Sequence, residues 1–196
     1  AQLSELLPSL LGEVVLATRE VNVKTRAAAF ELLAAWEEVS AKEIAGEIPD
    51  AGQAARVRLL VMIAKACATR RATQRIHEAI MVLGGNGIEE RFSALPRLWR
   101  DAIIYETWEG PHGLLLTRSL MDAVKFGAAE DPQGFTARLL GIDSDEAGMA
   151  PEVTALAGRL AALLAEPEDR PRMVAFERWA TDLYDLFGAL SAAKVG

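Results

Sequence analysis

The chain has 196 residues, 51% of them hydrophobic and 25% charged, which is the profile of a soluble globular protein with room for one or two compact units. Its net charge of -7 is uneven, since residues 1–120 carry 14 Lys or Arg against 15 Asp or Glu, whereas residues 121–196 carry 7 against 13. The apolar runs Leu59 to Ala64 and Leu160 to Ala165 fall far short of the ~20 residues needed to span a bilayer, which excludes a membrane span.

Alanine and leucine dominate, β-branched alternation is scarce, and glycine and proline fall between long periodic stretches, so the chain is expected to be all-α. Leu10, Leu11, Val14, Val15, Val21, Leu32, Leu33, Trp36 and Val39 predict one long helix from Ser9 to Ile44, with a bend near Asn22. Pro49 and Asp50 break the chain within the loop Gly46 to Gly52, and a second helix runs from Gln53 until Gly84 stops it. An irregular connection, Asn86 to Pro96, leads to a helix over Asp101 to Trp108 and another over Pro111 to Phe126, with Gly127 as its C-cap. Four helices with short connections make an antiparallel up-and-down bundle over 1–127.

Beyond Gly127, segments 130–134 and 141–145 read as turns, and Pro151 to Leu164 and Arg172 to Ala193 read as helices. Leu156, Leu160, Leu163 and Leu164 form one stripe, and Phe176, Trp179, Leu183, Leu186 and Phe187 a second. Residues 128–196 are therefore expected to be a C-terminal helical extension that packs on the bundle or on a partner subunit. Cys67, alone of its kind, reads as a small core residue in a reducing compartment. With no signal peptide visible, a cytoplasmic location is expected. Asp143, Asp145 and Glu146 lack the rest of an EF-hand loop, His77 and His112 have no partners at ligand spacing, and no metal site is assigned.

Several residues admit a chemical reading beside a structural one. Gly84 and Gly85 can be a helix C-cap, or a place where positive φ and a bare backbone let a phosphate-bearing ligand approach. Asp101, after Pro96, reads as a first-turn acid that favours the helix dipole. Glu109 follows Ile103, Ile104, Tyr105 and Trp108, which suggests a partly buried carboxylate whose raised pKa suits a general base. Equally, it can be an acid placed ahead of the helix that starts at Pro111. Glu106, three residues earlier on a similar face, is the fallback base. Arg56, Arg58, Lys65, Arg70, Arg71 and Arg75 make 56–75 locally basic, either as a phosphate-attracting surface or as a solvated helix face.

The order of these pieces, Gly84-Gly85-x-Gly87, then Arg100-Asp101-Ala102, then Glu109-Gly110, resembles the C-terminal helical domain of acyl-CoA dehydrogenases over roughly residues 9–127. The resemblance implies that Glu109 is the catalytic base removing the α-proton of an acyl-CoA thioester, and that FAD accepts the β-hydride to give a trans-2-enoyl-CoA. It further implies that Met81, Gly84, Gly85, Gly110 and Pro111 border the flavin, the glycine segment contacting FAD held by a neighbouring subunit. Electron-transfer flavoprotein or another acceptor would be the redox partner, and a homo-oligomer, dimer or tetramer, the assembly. The family commonly has glutamine where Met81 stands and a hydroxyl residue where Pro111 stands, so a polar flavin contact, a hydroxyl and an N–H are absent here.

The family's N-terminal helical and middle β-domains have no counterpart in these residues. The chain is accordingly expected to be part of a longer flavoprotein, inactive by itself. Leu95-Pro96-Arg97-Leu98-Trp99-Arg100 with Trp108-Glu109-Gly110 is most similar to the AidB-like branch, associated with alkylation damage and nucleic-acid binding; the acidic tail argues against DNA binding here. A non-catalytic oligomerisation module is the third reading.

Overall fold

The computed structural model of the chain describes residues 3–143 and 150–194. Among these residues all regular structure is helical: α1 (Leu3–Ile44), α2 (Ala51–Leu83), α3 (Gly85–Ile88), α4 (Leu95–Thr107), α5 (His112–Lys125), α6 (Pro132–Leu140), α7 (Pro151–Leu164) and α8 (Asp169–Ala193). No helix among them is long and apolar enough to cross a membrane.

The bundle is organised around α2, which packs against α1, α4, α5, α6 and α8. Its sequence explains that position. Val57, Leu59, Leu60, Ile63, Ala66, Cys67 and Ile80 are buried and do not confine themselves to one narrow stripe, and small residues among them let neighbouring helices come close. Asp50 starts α2 as its N-cap, accepting a hydrogen bond from the Gln53 amide at 2.8 Å. The two stripes read in the tail reach the centre: Leu160, Phe176, Trp179, Leu183 and Phe187 lie in one continuous core with Leu59, Leu60 and Ile63 of α2, Leu32 of α1 and Leu116 of α5. The Trp179 indole N–H is satisfied by the Leu156 carbonyl at 3.0 Å.

Several boundaries differ from the sequence expectation. The fourth helix begins at Leu95, not Asp101, because Pro96 occupies the first turn, where its missing N–H is harmless, and the Ser93 hydroxyl accepts from the Leu95 amide at 3.0 Å. Asp101 therefore sits mid-helix and exposed, so it is not a first-turn acid. The Asn86–Pro96 connection opens with the single turn α3. Segment 130–134, read as a turn, is the start of α6: Asp131 caps it through the Gly134 amide at 2.8 Å and Pro132 fills its first turn. That helix spans nine residues, too few to display a clear period. Asp145 and Glu146 lie outside the described residues. Finally, α4 contributes the buried Pro96 and Ala102 but lies on the outer flank of α2, away from the shared core, where α8 instead packs beside α1, α2 and α5.

Candidate functional site

The chain passes from α4 to α5 through four residues, Trp108 to Pro111. The Trp108 amide closes α4 on the Ile104 carbonyl at 2.9 Å. Glu109 follows with φ +55°, and it is the non-glycine residue in the left-handed region among the described residues. Such a conformation costs of order 1–3 kcal/mol and persists only where surroundings impose it. Gly110 continues with φ +117°, and a Cβ there would also press on Leu115 Cδ2 at 3.2 Å. Pro111, with φ −60°, sets the entry to α5.

The corner is fastened from α2. Lys65 Nζ donates to the Trp108 carbonyl and, at 3.1 Å, to the Gly110 carbonyl. The two acceptors belong to the residues before and after Glu109, so one ammonium anchors both ends of the two-residue stretch Glu109-Gly110. Below the corner, His112 Nδ1 donates to the Ala66 carbonyl at 3.3 Å, and its Nε2 lies 3.0 Å from Glu177 Oε1, tying the first turn of α5 to α2 and α8.

The environment of Glu109 corrects the expectation of a partly buried carboxylate. Glu109 is exposed, and so are its apolar neighbours: Trp108 is 68% and Tyr105 60% exposed. Helical periodicity places Ile104, Tyr105 and Trp108 near the acid along the chain, but α4 packs mainly on α2 and leaves these side chains uncovered. Glu106, the fallback base, is half-buried, with Oε2 3.8 Å from Arg70 Nη1.

The glycine end of α2 is a separate place. Gly84 terminates the helix with φ +57°, its amide meeting the Met81 carbonyl at 3.3 Å, and Gly85 opens α3. A Cβ at either glycine would meet nothing within 4 Å, and Met81 is 66% exposed. The residue whose side chain is sterically forbidden is Gly87, where a Cβ would fall 2.5 Å from the Ile80 carbonyl oxygen. Gly84 is 19 residues past Lys65, about 28 Å along the α2 axis at the usual rise. Met81, Gly84 and Gly85 are thus grouped with one another, Glu109, Gly110 and Pro111 with one another, and no single small group can touch both sets in one chain. Helix α4 runs back between them, Trp99 against His77 at one end and Glu106 facing Arg70 further on.

The basic segment of α2 resolves into internal partners. Arg56 faces Glu31, Arg58 Asp122, Arg70 Glu106, Arg71 Asp185 and Arg75 Glu78. Their charges are met within the chain, which weighs against a phosphate-binding surface. Sequence reasoning treated Lys65 as one more member of this run and missed its place at the corner. The available signal was its setting, a cation between Ala64 and Ala66 in the most apolar stretch of the helix.

Residues 20–123 match the family model described as acyl-CoA dehydrogenase, C-terminal domain. Among solved structures, one described as Bd2924 apo-form covers 94% of this chain at 22% identity with a TM-score of 0.69, a likeness of fold, and this chain spans 33% of its length. Among curated proteins none matches.

Proposed function

Because the chain belongs to the acyl-CoA dehydrogenase family as its C-terminal helical domain, we propose that it is part of a flavin-dependent oxidoreductase that desaturates an acyl-CoA thioester. Glu109 is the base. Its carboxylate takes the α-proton of the thioester, and the acyl chain leaves as the trans-2-enoyl-CoA. FAD, when bound, supplies the acceptor for the β-hydride, and electron-transfer flavoprotein or a similar acceptor reoxidises it.

The observation that carries this reading is the presentation of Glu109: a carboxylate on a strained, fastened corner, projecting from the fold with apolar side chains uncovered around it. An acid that only favoured the start of α5 needs no left-handed backbone. A base must lie within hydrogen-bonding reach of the proton it removes, and a fixed corner serves that need. The exposed Ile104, Tyr105 and Trp108 are the surface on which the rest of the protein and the acyl chain close, removing water from the acid.

The residues at the two ends fit a flavin as one wall of its site. At the glycine end the open space beside Gly84 and Gly85 and the exposed Met81 admit a nucleotide held by a neighbouring subunit. Gly110 and Pro111 border the corner, Pro111 offering shape and no N–H. The ~28 Å between the ends suits contact with two different cofactors, which agrees with a homo-oligomer. The cytoplasm is the proposed location.

An anaerobic visible spectrum of the full-length protein, purified without added cofactor and titrated with acyl-CoA thioesters of several lengths, tests the reading. Bleaching of a flavin band, lost in Glu109→Gln with flavin retained, is the expected result. A bound flavin that no thioester bleaches would remove the dehydrogenase assignment, and normal turnover by Glu109→Gln would remove Glu109 as the base.

A further inference from the structure

The inference below rests on the reading of Glu109 as the base. We propose that Lys65 is a positioning residue for that base: its ammonium clamps the carbonyls on both sides of Glu109 and so holds the backbone that aims the carboxylate.

Three observations converge on this role. The acceptors of Lys65 Nζ are the carbonyls of Trp108 and Gly110, the residues immediately before and after Glu109. The residue between them has φ +55°, a conformation a glutamate does not adopt unaided, and no other non-glycine residue among those described shares it. Whereas Arg56, Arg58, Arg70, Arg71 and Arg75 on the same helix each face a carboxylate, Lys65 is aimed at peptide oxygens.

The chemistry suits lysine. Trp108 caps the C-terminal end of α4, where carbonyls lack helical partners and a positive charge is favoured. An ammonium carries three donors on one rotatable centre, so it can serve two acceptors that do not lie in one plane. The φ and ψ of Glu109 and of Gly110 lie between the two held carbonyls, and anchoring both ends of so short a stretch restricts the direction of the Glu109 Cα–Cβ bond. Lys65 is half-buried on α2, next to Ala66, whose carbonyl receives His112. The residue that holds the corner is thus built into the central helix of the bundle, which gives the carboxylate a rigid reference although it stands on a connection between helices.

The test uses the full-length holoprotein with Lys65→Met, which keeps side-chain length and removes the donors, and reads two quantities. Amide hydrogen exchange at Trp108, whose N–H is bonded to the Ile104 carbonyl beside the clamp, is expected to rise by about tenfold or more while the interior of α2 stays protected. The rate constant kcat on an acyl-CoA thioester is expected to fall by about 100-fold, the scale of a misplaced catalytic group, with KM within about twofold. Lys65→Arg, which keeps donors, restores most of both.

Unchanged exchange at the corner together with kcat within about twofold of the parent overturns the proposal. So does a loss of kcat that Lys65→Arg fails to relieve while exchange at the corner is unaltered. Glu109→Gln is measured alongside: turnover retained there sinks the base assignment itself, an outcome distinct from failure of the clamp. Should Lys65→Met not fold, Lys65→Gln, able to donate to one carbonyl at a time, is read in the same way, and parental exchange at Trp108 in that variant equally overturns the proposal.

Discussion

At the scale of single residues, Gly110 is the position of the corner that cannot be exchanged freely. Gly110→Ala places a Cβ in a φ that L residues rarely adopt and against Leu115, so a loss of about 1–3 kcal/mol is expected. Urea unfolding of the variant against the parent reads it directly, the midpoint falling with an unchanged slope. Cys67 lies in the core with Sγ 3.9 Å from the Ala180 carbonyl, and burial pushes its thiol up to about 11. Only about a thousandth is thiolate at pH 8, and access is closed as well. A thiol reagent is therefore expected to react with the folded protein only at its rate of opening, and quickly in denaturant. Rapid labelling of the native chain would mean that this part of α2 is not packed as described.

At the scale of elements, Arg56 joins four helices. It donates to the Leu139 carbonyl at 3.1 Å near the end of α6, faces Glu31 of α1 at 3.3 Å, and lies 5.8 Å from the centre of the Phe187 ring of α8. Glu31 in turn receives the Ser191 hydroxyl at 2.7 Å and Lys194 at 2.9 Å. Truncating Arg56 to Ala leaves Glu31 with fewer partners and α6 with an open carbonyl. An expected cost of about 2–3 kcal/mol, somewhat below that of breaking a fully buried pair, follows and is measurable by chemical denaturation. The same cluster sets a pH dependence. Burial by itself would raise the Glu31 carboxyl, but the hydrogen bonds from Lys194 and Ser191 and the charges of Lys194 and Arg56 outweigh it, so the folded value lies below 4.5. A depressed folded value means that the stabilisation is complete above the unfolded value and is lost as pH falls through the folded one. Thermal melts between pH 6 and pH 3 should show Tm falling on the acid side, and Glu31→Gln should flatten that fall. An equal slope in both proteins would contradict the assignment.

At the scale of the whole molecule, a single core runs from α1 through α2 and α5 to α6, α7 and α8. Trp179, Phe176 and Phe187, its largest buried side chains, all come from α8, although the signature of the family lies wholly before it. Removing one of them is expected to weaken the entire chain. Trp179→Ala should cost about 3–5 kcal/mol, and the loss should appear equally in exchange protection of α2 and of α7. Protection lost in α6–α8 alone would indicate that residues 128–196 unfold as a separate unit. The opposite flank of the molecule carries the consequence for function. With α4 packed mainly on α2 and Trp108 and Tyr105 open, the corner is an uncovered apolar surface among the described residues.

The sequence alone determined the helical content, the stop at Gly84, the stripes of α7 and α8 and the ordered glycine, Arg-Asp and Glu-Gly signature. Each of these is written within a few turns of helix, because periodicity and capping are interactions between residues three or four apart. The starts of α4 and α6 are equally local, written in Pro96 and in Asp131-Pro132, because proline suits the first helical turn. Tertiary structure decided what periodicity does not encode. Whether Glu109 is buried depends on what covers the outer face of α4, and among the described residues that face is open. That Lys65 reaches the corner depends on bringing together residues more than 40 apart in sequence. Chains of charge such as Arg56 to Arg75 look alike in sequence; apart from the local pair Arg75–Glu78, only packing assigns Arg56, Arg58, Arg70 and Arg71 to carboxylates and Lys65 to the carbonyls beside Glu109, because those partners come from outside α2.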